Sequence, residues 1–132
     1  MKRVVVVTGG TRGIGRVVAE RFCQQGDEVA VCSRSPRDAS LPQEVFHGRV
    51  DVRRQSEVKQ FVTMVAQRFG GLDVLVNCAG GSGWRTLEQI DEAFVKEILE
   101  TAVLGTLWGC QAAAALLRTG SCIVNVSSLA GK

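Results

Sequence analysis

The sequence contains no tyrosine, a single histidine and only two prolines among its 132 residues. Without tyrosine, no phenol hydroxyl of this chain can act as an acid or a base. The lone histidine, His47, has no cluster of possible ligands around it, so we predict no metal site. Aromatic residues make up only 5% of the chain, and the formal net charge is +3. With basic residues scattered along the chain, this composition argues against binding to nucleic acid.

The chain also lacks a hydrophobic run long enough to cross a bilayer. Its most apolar region, residues 102–117, contains Thr106 and Gln111 and is shorter than the roughly 20 residues of a spanning helix. Four valines after the basic start are too few for a signal peptide. Five widely spaced cysteines form no CxxC pair, which favours buried thiols in a reducing compartment. We therefore expect a cytoplasmic protein that does not bind membranes.

Short apolar runs alternate with amphipathic segments along the whole sequence. We predict strands at residues 4–7, 28–33, 45–50, 72–76 and 122–126, and helices at residues 14–25, 56–69 and 86–117. Alternating strands and helices imply right-handed crossovers and a parallel sheet that is covered on both faces. The predicted fold is α/β, a Rossmann-like doubly wound sheet of about five strands, incomplete at the C-terminal side. Residues 1–132 have the size of one domain.

A glycine-rich segment, TGGTRGIG at residues 8–15, follows the first predicted strand and opens the first predicted helix. A helix N-terminus exposes unpaired backbone N–H groups and favours an anion. Glycines let a phosphate approach the backbone without clashes. The spacing does not match GxGxxG, and a nucleoside-triphosphate loop would need lysine and a hydroxyl where Arg16 and Val17 stand. The segment therefore predicts a pyrophosphate site without phosphoryl transfer.

This segment resembles the TGxxxGxG pattern of the short-chain dehydrogenase/reductase family. Three further segments resemble the family in its order and spacing: VDV at residues 50–52, NCAG at residues 77–80, and IVNVSS at residues 123–128. Cys78 stands where the family's NNAG has its second asparagine. The resemblance covers the whole chain. It implies a dinucleotide-binding domain, residues 1–132, in a cofactor-dependent oxidoreductase.

By this resemblance, Asp51 contacts the adenine and the cofactor lies in the glycine loop and on the segments that follow the next strands. The implied cofactor-binding residues are Thr8, Gly9, Thr11, Arg12, Gly13, Ile14, Gly15, Ser33, Arg34, Asp51, Val52, Asn77, Ala79 and Gly80.

The end of the second predicted strand indicates which dinucleotide is bound. An NAD enzyme places an acidic side chain there for the ribose hydroxyl, whereas an NADP enzyme places a cation for the 2′-phosphate. Here Ser33 stands at the acid's position and Arg34 follows it. Arg12 in the glycine loop could converge on the same phosphate, and the planar guanidinium suits phosphate oxygens. We therefore predict NADP(H) as the cofactor.

The family's catalytic groups are a tyrosine, a lysine, a serine and a supporting asparagine. The resemblance places the serine at Ser128, with Ser127 beside it, and Ala102 occupies the asparagine's position. The tyrosine and lysine belong to a YxxxK helix that would follow Ser128, so we expect this chain to be truncated before that helix and inactive alone. The completed enzyme would transfer hydride to or from a small carbonyl, 3-oxoacyl or alcohol substrate. The alternative is a non-catalytic module that senses NADPH or pairs with an intact relative.

The predicted long helix, residues 86–117, would pack on the absent helix and, in full-length relatives, against a second copy. We therefore expect a homo-oligomer in such relatives. In this chain we expect an exposed apolar patch that includes Leu104, Trp108 and Leu116.

Overall fold

The structure is a computed structural model that describes residues 1–81 and 83–129. Its strands are Val4–Thr8 (β1), Glu28–Ser33 (β2), Phe46–Arg49 (β3), Leu72–Asn77 (β4) and Leu117–Asn125 (β5). Its helices are Gly13–Gln24 (α1), Gln55–Phe69 (α2), Glu92–Leu99 (α3) and Gly105–Ala114 (α4). A 3₁₀ turn at Leu87–Gln89 precedes α3, and a π-helical segment at Glu100–Leu104 joins α3 to α4.

The five strands form one sheet in the order β3-β2-β1-β4-β5, and every neighbouring pair is parallel. This confirms the predicted Rossmann-like α/β fold. Because the strands are parallel, the segments after β1 to β5 all emerge at one edge of the sheet. Ligands bind at that edge in open sheets of this kind.

Alternate residues of the central strand belong to two separate cores. Val4 and Val6 lie in the core that α2 and α4 cover. Val5 and Val7 lie in the core beneath α1. None of the four exposes more than 3% of its surface, and full burial of a valine side chain stabilises a fold by about 1.5–3 kcal/mol. The uninterrupted valine run is thus explained by helices on both faces.

The region predicted as one long helix, and the last strand, begin at positions that differ from the prediction. Helix α3 begins at Glu92 rather than near residue 86, because the Asp91 carboxylate accepts a hydrogen bond from the Phe94 N–H at 2.8 Å. Strand β5 begins at Leu117 rather than Cys122, since Leu117 pairs with Leu72 of β4. Gly120, predicted to precede the strand, lies within it at φ 88°.

An apolar patch is exposed on this helical region, but the prediction named the wrong residues for it. Trp108 and Leu116 pack against the core, and Leu104 is half-buried. The large exposed apolar side chains of residues 92–114 follow one another at every fourth position: Val95, Leu99, Val103 and Leu107, with 41–57% of their surface exposed. The helix therefore turns a different face to the sheet from the one the sequence suggested. Within residues 1–81 and 83–129, no helix is both long and apolar enough to cross a membrane.

Candidate nucleotide-binding site

The junction between β1 and α1 is packed so closely that a Cβ would clash at three of its glycines, two in the turn and one in the first turn of the helix. Gly9 adopts a left-handed φ of 65°, and a Cβ there would lie 2.8 Å from Ala79 Cα. A Cβ on Gly10 would lie 2.5 Å from Val31 Cγ1, and one on Gly15 would meet the Gly9 carbonyl oxygen. Because glycine has no side chain at these positions, the start of α1 can pack directly against the end of the sheet.

Gly13 differs from these three because nothing in the protein crowds it. It has a φ of 56°, and a Cβ added there would meet no atom within 4 Å. Arg12 precedes the helix in an extended conformation without capping it, and the first turn of α1 holds no acidic residue. The exposed Ile14 side chain follows. Open space beside the positive end of the helix dipole fits the pyrophosphate of a dinucleotide.

A buried hydroxyl joins the glycine turn to the segment after β4. Thr8 exposes only 2% of its surface, and its Oγ1 accepts hydrogen bonds from the Cys78 and Ala79 N–H groups, each at 3.1 Å. The Thr8 side chain therefore contacts the protein backbone and sets residues 77–80 beside the glycines. Gly80 is exposed, and a Cβ there would meet no atom within 4 Å.

Asn77 connects β4 to β5. Its Nδ2 donates to Asn125 Oδ1 at 2.8 Å, and its backbone oxygen accepts from the Val126 N–H at 3.0 Å. Its own buried Oδ1 has no hydrogen-bond partner among the described residues and faces α4 at Gly109. These bonds bring the end of β5, and with it the exposed Ser128, to the same edge as the glycine turn.

At the end of β2 the structure adds two partners that the sequence did not indicate. Ser33 Oγ lies 2.9 Å from His47 Nε2, a residue of β3. The Arg34 guanidinium donates to Glu97 Oε1 at 3.2 Å, across 63 positions of sequence. Burial, and then the charge of Arg37, hold the pKa of His47 below its ordinary value. No local pattern pairs these residues, so only the packing of β3 and α3 reveals them.

The segment after β3 carries Asp51 on a firmly held side chain. The Arg53 guanidinium donates to both Asp51 oxygens, with the shortest distance 2.8 Å, and this lowers the pKa of the carboxyl. Val52 is buried, and a Cβ added to Gly105 of α4 would lie 2.9 Å from Val52 Cγ2. Gly105 thus lets the long helix approach this segment.

The structure therefore places the predicted cofactor residues at or just after the ends of β1, β2, β3 and β4. Contacts link Thr8 to Ala79, and the Val50 N–H donates to the Ser33 oxygen at 2.8 Å. Thr11 and Arg12 lie in the glycine turn itself. Across residues 1–81 and 83–129, no three histidine, cysteine or acidic side chains come together as a metal site would require.

Comparison with known proteins assigns the family. The family model described as "short chain dehydrogenase" matches residues 3–132. The chain belongs to the short-chain dehydrogenase family. An L-fucose dehydrogenase of Oryctolagus cuniculus is 36% identical to this chain, and the match includes 98% of this chain. It covers 48% of that relative. The chain spans about half the length of the curated relatives it matches.

Solved structures that share the fold differ in cofactor. A Burkholderia cenocepacia short-chain dehydrogenase in complex with NADP is 32% identical, with a TM-score of 0.86, and aligns with 97% of this chain over 56% of its own. An NADH-dependent reductase complexed with NAD is 29% identical, with a TM-score of 0.88, and aligns with 99% of this chain over 61% of its own. The family binds nicotinamide cofactors, and both forms occur among the similar structures.

Proposed function

We propose that residues 1–132 form the dinucleotide-binding domain of an NADP(H)-dependent oxidoreductase that interconverts a carbonyl and an alcohol. The observation that carries the choice of cofactor is the end of β2, where Ser33 stands at the position of the acid and Arg34 follows it. The Arg34 side chain is 54% exposed, so a ligand can reach it. Its backbone oxygen accepts a hydrogen bond from Arg49 Nε at 2.9 Å, which holds the turn.

The bound dinucleotide would supply or accept the hydride, and the chain's own residues would position it. The amides at the start of α1 and the open space at Gly13 suit its pyrophosphate. Val52 and Asp51 would border the adenine, and Asn77, Ala79 and Gly80 would lie along the nicotinamide half. This assignment follows the family resemblance and agrees with the common edge on which these residues lie.

Ser128 would donate a hydrogen bond to the substrate oxygen and polarise the reacting carbon. The family's general acid is a tyrosine, and this sequence contains none. Ala102, exposed on the π-helical segment, offers a methyl group where the family has its asparagine amide. We therefore propose that the 132 residues alone bind cofactor without turning over substrate.

We also propose that the protein self-associates through residues 92–114. The exposed stripe formed by Val95, Leu99, Val103 and Leu107 supports this, because it forms an apolar face that continues from α3 through the π-helical segment into α4.

The cofactor proposal is tested by titrating the purified protein with NADPH and NADH and following the fluorescence of the reduced nicotinamide. Arg34→Asp should weaken NADPH binding by about 10- to 100-fold, since it removes charged hydrogen bonds worth roughly 1.5–3 kcal/mol. NADH binding should change less than about three-fold. Lys59→Asp, with the same charge change on an exposed position of α2, is the control and should affect neither. Equal losses of both cofactors in Arg34→Asp would contradict the proposal.

A further inference from the structure

An ion pair between Arg34 and Glu97 connects the segment after β2 to helix α3 beside the proposed adenosine site. Arg34 follows β2, and Glu97 lies on α3, with 3.2 Å between the guanidinium nitrogen and the carboxylate oxygen. The two side chains are 54% and 53% exposed. An ion pair this exposed is weak and open to exchange with a stronger ligand.

Both backbones that carry the pair are held in place. The Arg34 oxygen accepts from Arg49 Nε at 2.9 Å. Helix α3 is fixed at its start by the Asp91 cap, and the helix that continues it packs at Gly105 against Val52. The Glu97 carboxylate is therefore presented to Arg34 by the fold, from an element that carries no other predicted cofactor residue.

The other charged side chains of this region have partners other than Arg34 within ion-pair distance. The Asp51 carboxylate forms an ion pair with the Arg53 guanidinium at 2.8 Å. The pKa of Arg53 is raised first by its hydrogen bond to Asp51 and less by the charges of Glu97 and Glu100. Within the described part of the chain, Glu97 is the one carboxylate that lies within 4 Å of the Arg34 guanidinium.

We propose that Glu97 sets the discrimination between NADPH and NADH by competing with the cofactor's 2′-phosphate for Arg34. This inference rests on the proposed function. The 2′-phosphate must displace the Glu97 carboxylate from the Arg34 guanidinium, so NADPH binding costs the free energy of that ion pair. NADH carries no phosphate at this position and leaves the ion pair intact. Glu97 thus lowers the NADPH preference that Arg34 alone would confer.

Neutralising Glu97 should therefore improve one cofactor and leave the other unchanged. In fluorescence titrations at fixed low salt, Glu97→Gln should bind NADPH about three- to ten-fold more tightly than the natural protein, as expected for a weak exposed ion pair. NADH affinity should stay within about two-fold. The matched control is Glu92→Gln on the same helix, five positions away and roughly 140° around its axis, which should change neither affinity.

A second background separates competition for Arg34 from a general charge effect. When Arg34 is already alanine, Glu97→Gln should change NADPH affinity by less than about two-fold, because no guanidinium remains to be released. An undiminished gain in that background would overturn the proposal. So would a selective loss of NADH affinity in Glu97→Gln, because Glu97 would then bind the ribose hydroxyl itself.

The outcomes also distinguish this inference from the function on which it rests. If Arg34→Ala does not weaken NADPH selectively, the proposed NADP(H) specificity fails. If Arg34→Ala weakens NADPH selectively but Glu97→Gln leaves the NADPH-to-NADH ratio unchanged, the role of Glu97 fails and the cofactor assignment stands. Thermal unfolding of each variant confirms that affinities are compared between folded proteins.

Discussion

Two glycines at opposite ends of α1 provide a test of where the pyrophosphate lies. Gly13 and Gly26 have φ values of 56° and 88°, and at both positions an added Cβ would meet no atom within 4 Å. Alanine at either site therefore costs backbone strain without a steric clash. A left-handed conformation costs a non-glycine residue roughly 1–2 kcal/mol. The reduced entropy of the unfolded chain offsets about 0.4–1 kcal/mol of that cost.

The net loss of stability should be about 1 kcal/mol for each variant, because the same backbone strain and the same entropy gain apply at both positions. For a chain of this length, that corresponds to a decrease of roughly 3–5 °C in the midpoint of thermal unfolding. The two variants should differ in cofactor binding. The methyl group of Gly13→Ala would occupy the space proposed for a phosphate, whereas Gly26 lies at the far end of the helix.

The assay combines thermal unfolding with NADPH titration on the natural protein and both variants. Gly13→Ala should weaken NADPH by more than about ten-fold, equivalent to about 1.4 kcal/mol. Gly26→Ala should stay within about two-fold while losing the same stability. Undiminished binding by folded Gly13→Ala would refute the reasoning, because a phosphate resting on these amides leaves no room for a methyl group.

Two further predictions concern pH and self-association. Because the folded protein holds the pKa of His47 below its ordinary value of 6.5, it binds fewer protons there than the unfolded chain, and stability should fall as pH decreases from 6.5 through the lowered pKa. His47→Gln should flatten that decline in urea unfolding between pH 7 and pH 5; an unchanged slope would contradict it. Leu99→Glu, at a position 52% exposed on the apolar stripe, should reduce the sedimentation coefficient of the assembly, whereas Lys59→Ala should not. A natural protein that already sediments as a monomer would refute self-association.

Local patterns were sufficient for most of the architecture. The valine run of β1, the glycine cluster and the amphipathic α2 each carry a signal within one element, and the structure has these elements within about one residue of their predicted bounds. The prediction placed the start of this helix near residue 86, whereas Asp91 caps α3 and the segment Leu87–Gln89 lies outside it. That segment forms a separate 3₁₀ turn with its own capping box between Thr86 and Gln89.

The sequence by itself determined that β1 is buried on both faces and is followed by a glycine-rich segment at the start of a helix, because a valine run and a glycine cluster are local patterns. Only the tertiary structure shows why Gly9 and Gly10 are needed, since an added Cβ would meet Ala79 and Val31. The tertiary structure alone decided that β5 begins at Leu117, where Leu72 becomes its partner. It also decided that Arg34 meets Glu97, 63 positions away. A contact between distant segments depends on how strands and helices pack, and no spacing along the chain encodes it.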